Sequence, residues 1–150
     1  MRRRSLLYLD ASAIVKLVSV ERESAALRTA VARSRLVASE LILVEVSRAL
    51  GRLRADASER ARLRREEQRV LAGLDLVPLT RLLLTSAGKL GPPRLRALDA
   101  VHIASALTLG SGLEFFVTYD RRQLDAASGT GLAALSPGGP LRDGPRFHAP

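Results

Sequence analysis

Residues 6–10 read Leu6-Leu7-Tyr8-Leu9-Asp10, a short apolar run closed by a carboxylate. No polar residue alternates with the apolar ones, so the run suits a strand buried on both faces better than one with a solvated side. Similar short runs recur at Arg35 to Ala38, Leu74 to Leu79, Glu114 to Thr118 and Leu132 to Leu135. The stretches between them carry helix signals. Ser39 can cap a helix through Leu53; Asp56 and Glu59 have capping-box spacing ahead of a helix to about Ala72; Thr80 can cap one that stops near Gly91-Pro92-Pro93. A further helix is expected from about Leu98 to Leu109, ended by Gly110, and a short one from Arg121 to Ala127. Buried strands alternating with helices imply a three-layer α/β/α sandwich around a mostly parallel sheet of about five strands.

The chain has 150 residues, 47% hydrophobic and 26% charged, which fits one globular domain and excludes disorder throughout. That domain is expected to occupy residues 1–136. Residues 137–150 hold four of the seven prolines and three of the 11 glycines, and read as a C-terminal tail. Zero cysteines exclude a disulfide framework and a cysteine-ligated metal, and two histidines leave little for zinc. Any metal bound should be a hard one. The apolar stretch before Asp10 is too short for a signal peptide, and no later run spans a bilayer, so the expected location is cytoplasmic, with no membrane partner.

The formal charge is +9, and 22 of the 24 basic residues are arginine. This points to a polyanionic partner, nucleic acid before membrane. The segment Arg48 to Arg69 holds eight arginines among Asp56, Glu59, Glu66 and Glu67, and its plain reading is a solvated helix pair laced with i,i+4 ion pairs. With aromatics at 3%, base stacking contributes little, leaving shape and phosphate contacts.

Four carboxylates stand in apolar company. Glu45 lies within Leu41-Ile42-Leu43-Val44-Glu45-Val46, with apolar neighbours on every side, so helix packing should draw it inward. A buried charge must be paired, neutralised or bound to a metal. Asp10 follows the first strand and Asp120 nearly follows the strand ending at Thr118, where open parallel sheets place their ligand crevice. Asp99 opens an apolar helix. Each has a simpler explanation alone: helix capping for Asp10, Asp99 or Asp120, and an i+3 salt bridge to Arg48 for Glu45. Together they imply one pocket joined by a cation, and oxygen ligands without cysteine suit Mg²⁺ or Mn²⁺.

Four stretches carry a family resemblance: Leu9-Asp10-Ala11-Ser12-Ala13-Ile14-Val15-Lys16-Leu17; Ser39-Glu40-Leu41 through Glu45-Val46-Ser47-Arg48; Leu98-Asp99-Ala100-Val101-His102-Ile103-Ala104; and Val117-Thr118-Tyr119-Asp120-Arg121-Arg122. In this order they resemble PIN-domain ribonucleases of the VapC toxin type, over about residues 6 to 137. The resemblance implies that Asp10, Glu45, Asp99 and Asp120 are the catalytic, metal-binding acids. Ser12 and Thr118 match hydroxyl positions beside the first and fourth, where a cap or turn hydrogen bond is the plainer role. His102, three residues after Asp99, is expected to be a satisfied core histidine. By the same resemblance the chain is an Mg²⁺- or Mn²⁺-dependent endoribonuclease that cuts RNA and inhibits translation. It would be the toxin of a type II pair, a homodimer silenced by a cognate antitoxin laid across the acidic pocket. Arg48, Arg121 and Arg122 are RNA-binding candidates, because a guanidinium matches phosphate bidentately; pairing with the acids is their alternative. An RNA-processing or decay nuclease of the same superfamily, and a non-catalytic basic nucleic-acid-binding module, are the alternative functions. A phosphoaspartate phosphatase would need an acid where Ser12 stands.

Overall fold

The computed structural model describes residues 4–139; most of the expected tail, residues 140–150, lies outside the described residues. In chain order the elements are β1 (Leu6–Leu9), α1 (Ala11–Val18), α2 (Ser24–Val31), β2 (Arg35–Ser39), α3 (Ile42–Gly51), α4 (Ala57–Ala72), β3 (Asp75–Val77), α5 (Arg81–Ala87), α6 (Ala97–Leu107), β4 (Leu113–Val117), α7 (Arg121–Gly129) and β5 (Ala134–Leu135). The strands form one sheet in the order β3-β2-β1-β4-β5, every pair parallel.

Alternation along β1 divides the core. Leu7 and Leu9 face a layer built from α1, α2, α3 and α4, with Ile14, Leu27, Ile42 and Leu63 among its buried side chains. Tyr8 points the other way, to Phe116, Ala106 and Ala127 of β4, α6 and α7. Both faces of the central strand are therefore covered, as its unbroken apolar run requires. The three-layer α/β/α expectation holds, with the sheet parallel throughout. Among the described residues no helix is long and apolar enough to cross a membrane.

Several boundaries differ from the sequence reading. The chain between β1 and β2 forms two helices that it did not single out, the first capped by Asp10, whose side chain accepts from the Ala13 N–H. Ser39 does not cap α3. It pairs with Val77 as the last residue of β2, and its hydroxyl accepts from the Leu41 N–H, so the helix starts only at Ile42. The third strand is three residues long because Pro78 follows it and has no N–H to continue the ladder. Asp56 does cap α4, accepting from the Glu59 N–H at 2.8 Å. The ion pairs on that helix run at i,i+3, Glu59 with Arg62 and Glu66 with Arg69, rather than the expected i,i+4. A guanidinium fork reaches both oxygens of a carboxylate one turn away.

Leu63 is the one buried residue of α4, joining the core at 4% exposure. Leu63→Ala should therefore destabilise the protein by about 2–5 kcal/mol, whereas Arg64→Ala beside it should stay within about 0.5 kcal/mol. Urea denaturation of the two variants checks this; equal midpoints would mean that α4 is not held by that contact.

Candidate active site

The strand order reverses between β1 and β4, so the connections after these two neighbours leave in opposite directions and open a crevice at their carboxyl ends. Asp10 and Thr118 stand on the two sides of it. The Asp10 side chain is 2% exposed, yet three donors converge on it. The Ser12 hydroxyl and the Ala13 N–H donate to Oδ1 at 2.6 and 3.0 Å, and the Thr118 hydroxyl donates to Oδ2 at 2.6 Å. Burial pushes the Asp10 carboxyl above its ordinary range, against His102 and these hydrogen bonds, which favour the ionised form. Ser12 Oγ also accepts from the Tyr119 N–H, and Thr118 Oγ1 from the Asp120 N–H. Both hydroxyls thus orient Asp10 and tie the turn after β4 to α1.

Asp120 caps α7, accepting from the Arg122 N–H at 2.9 Å, and Arg122 Nη2 reaches its other oxygen at 3.2 Å. Burial acts to raise the Asp120 carboxyl, but the Arg122 guanidinium and the α7 N–H groups outweigh it, and the net effect is a lowering. Asp99 lies in the first turn of α6 and makes no cap hydrogen bond there; Arg96 holds the N-cap position. Its carboxyl is raised by burial and then by the negative charge of Asp120, with Arg122, His102 and Arg96 opposing. The charge of Asp120 is thus felt at Asp99.

Glu45 sits in the first turn of α3, and its inward turn has a different cause from the one its neighbours suggested. Leu43 and Val44 are 47% and 59% exposed, so apolar packing does not surround it. It meets His102, whose Nε2 lies 2.7 Å from Glu45 Oε2, and not Arg48, the simpler alternative for it. His102 itself is a buried histidine with both ring nitrogens partnered, the other by the Tyr8 hydroxyl at 2.8 Å. The i+3 spacing of Asp99 and His102 was the signal that a histidine shares the face of an acid. Nothing in the sequence alone signalled that it meets Glu45, 57 residues earlier.

No three acidic or imidazole groups among the described residues are grouped closely enough to hold one ion as they stand. The donor chemistry nevertheless fits a hard cation: carboxylate oxygens from four elements at one sheet end, one of them buried and oriented by three donors. Arg48, Arg121 and Arg122 are all exposed, and of the three Arg122 is the one in an ion pair among the described residues. Beside Asp99 and Arg122 opens a groove of about 420 Å³ whose rim includes Arg94 and Arg96, two arginines that the sequence analysis does not name.

Residues 7–129 match the family model of the PIN domain, and the chain belongs to that family. It is 46% identical to Ribonuclease VapC46 of Mycobacterium tuberculosis over 87% of this chain and 97% of that one. It is 37% identical to Ribonuclease VapC47 of the same species over 89% and 98%. Its fold is similar to VapBC2 from Rickettsia felis, solved bound to a DNA fragment from their promoter, with a TM-score of 0.62 at 11% identity over 87% of this chain and 98% of that one. PAE2754 from Pyrobaculum aerophilum superposes with a TM-score of 0.59 at 26% identity, over 87% and 83%.

A carboxyl whose pKa is higher folded than unfolded binds its proton more tightly in the folded state, so stability falls as pH rises from about 3.9 through the folded value. Asp99 is such a group. In EDTA, Asp99→Asn should melt above the wild type at pH 7 and lose that advantage near pH 4, after allowance for about 0.3–1 kcal/mol of lost helix-dipole interaction. Melting curves at the two pH values decide it; a difference that does not change with pH would mean that the folded protein does not raise the Asp99 carboxyl.

Proposed function

We propose that the protein is a divalent-metal-dependent endoribonuclease, the toxin of a type II toxin–antitoxin pair, acting in the cytoplasm on cellular RNA to inhibit translation. The observation that carries the reading is the buried, triply bonded Asp10 carboxylate at the sheet's switch point, with Asp120 following β4, its charge felt at Asp99, and Glu45 bonded to the buried His102. Likeness to proteins named ribonucleases at 37–46% identity over nearly the whole chain supports the substrate class.

Asp10, Glu45, Asp99 and Asp120 would hold one or two Mg²⁺ or Mn²⁺ ions. Bound there, such an ion lowers the pKa of a water and stabilises charge on the oxygens of a phosphodiester. The chain's own groups do the rest. Ser12 and Thr118 fix the Asp10 carboxylate, and their hydroxyl protons are committed to it, which argues against either as nucleophile. His102 is too buried to touch a substrate. Arg121 and Arg122, with Arg48 on α3, offer exposed guanidinium groups to the phosphates flanking the cut. An RNA that reaches this pocket has to be single-stranded or looped, because a phosphate within a regular duplex is poorly accessible at a sheet end. Exposed Leu43 and Val44 on α3, and Leu82 and Leu84 on α5, leave apolar surface for the protein partners the family resemblance implies, a second copy and an antitoxin.

Asp10→Asn, Glu45→Gln, Asp99→Asn and Asp120→Asn should each slow RNA cleavage at least about tenfold, and chelation should abolish it. Cleavage of a labelled single-stranded RNA with and without EDTA tests this. Full activity in Asp99→Asn would overturn the assignment, and RNA binding without metal-dependent product would favour a non-catalytic module instead.

Glutamine at Arg121 and Arg122 together should weaken RNA binding and flatten its dependence on salt by up to about two counterions. An unchanged slope would assign both arginines to structure.

A further inference from the structure

Two hydrogen bonds link the middle of the sheet to Glu45, and neither is used by the chemistry above. Tyr8 on β1 is fully buried, its ring stacked on Phe116 at 5.0 Å and edge-on to His102 at 6.0 Å. Its hydroxyl lies 2.8 Å from His102 Nδ1, and His102 Nε2 lies 2.7 Å from Glu45 Oε2. The chain thus crosses three elements, β1, α6 and α3, and ends on one of the four acids.

The chemistry of the groups fixes the protons. An ionised carboxylate only accepts, so Nε2 must carry the hydrogen that faces Glu45. In a neutral imidazole this leaves Nδ1 as an acceptor, and the Tyr8 hydroxyl is the donor that suits it. An imidazolium would present the same N–H to Glu45, so the contact does not depend on the charge of the ring. At 2% exposure His102 cannot touch a substrate, and a buried polar chain of this kind is often no more stabilising than apolar side chains of equal volume. Its effect is to hold a carboxylate still. Glu45 is otherwise poorly restrained: it has a flexible side chain, and Leu43, Val44, Ser47 and Arg48 around it are exposed.

We propose that His102, oriented by Tyr8, is a positioning residue of the active site: its Nε2–H holds the Glu45 carboxylate in place for the divalent cation. This rests on the metal-dependent reading proposed above. Outer hydrogen-bond partners of ligating groups commonly change metal affinity by about 10- to 100-fold.

The test compares Mn²⁺ binding, read from the electron paramagnetic resonance of free Mn²⁺, in the wild type, His102→Gln, His102→Leu, Tyr8→Phe and Asp99→Asn, with RNA cleavage alongside. Glutamine keeps an N–H at the reach of Nε2, and leucine keeps only bulk. His102→Leu should raise the Mn²⁺ Kd about tenfold or more and lower kcat with little change in KM for RNA, while His102→Gln stays within about threefold of the wild type. Tyr8→Phe should fall between them. In the wild type, a long-range ¹H–¹⁵N correlation spectrum, with the signal assigned through His102→Gln because His148 is the other histidine, should show Nε2 protonated. A bare Nε2 overturns the proposal, and so does wild-type affinity in His102→Leu; if that variant does not fold, a His102→Gln variant as weak as Asp99→Asn overturns it. Loss of binding in Asp99→Asn with His102→Leu unaffected removes the proposal alone. Mn²⁺ binding that is absent from the wild type, or unchanged in Asp99→Asn, removes the metal reading and the proposal with it.

Discussion

Burying an ionisable carboxylate at the end of a central strand costs several kcal/mol unless the surroundings answer its charge, and Asp10 is placed under that constraint by the fold itself. Its strand is covered on both faces, so the residue that follows the strand emerges in a crevice rather than in solvent. The answer comes from neighbouring elements: a hydroxyl and an N–H from the first turn of α1, and a hydroxyl from the end of β4. These bonds lock α1, β1 and β4 together at the switch point. They do not neutralise the carboxylate, whose proton affinity stays raised by burial. A site of this kind is stable as built and incomplete in charge, which is the physical condition for a cation site.

The remaining acids follow from the topology. Parallel strands send every following helix off from the same edge, so Glu45 at the start of α3 and Asp120 at the start of α7 arrive where Asp10 does. Asp99 enters on α6, whose next turn carries His102. Glu45 is hydrogen-bonded to His102, and Asp120 is paired with Arg122. Arg48 and Arg121 are exposed on their helix faces, and Arg94 and Arg96 lie on the loop beside Asp99.

Much of this was legible in the chain. The unbroken apolar run at Leu6 to Leu9 marked a strand with two covered faces, and the acids at strand ends marked the crevice, because both depend on local pattern. Helix starts were less legible where a residue has two uses: Ser39 is a good cap by type, but its backbone is committed to pairing with β3. Glu45 was singled out for its apolar sequence neighbours, yet two of them, Leu43 and Val44, face solvent, and a histidine 57 residues away is what turns it inward. Contacts of that range leave no trace in spacing or periodicity. Arg96, three residues before Asp99, was within reach of the same reading that found Arg48, and only its place beside Arg122 depends on folding.

The cation site proposed above would be shared by Asp10 after β1, Glu45 on α3, Asp99 on α6 and Asp120 at the cap of α7. An anomalous difference map from a crystal soaked in Mn²⁺ tests it most directly, since it locates the ion without reference to activity. The account predicts a peak at the carboxyl end of β1, contacted by Asp10 and by at least two of Glu45, Asp99 and Asp120, with Glu45 still bonded to His102. A crystal saturated with Mn²⁺ that shows no peak there, or one held by other residues, would contradict it.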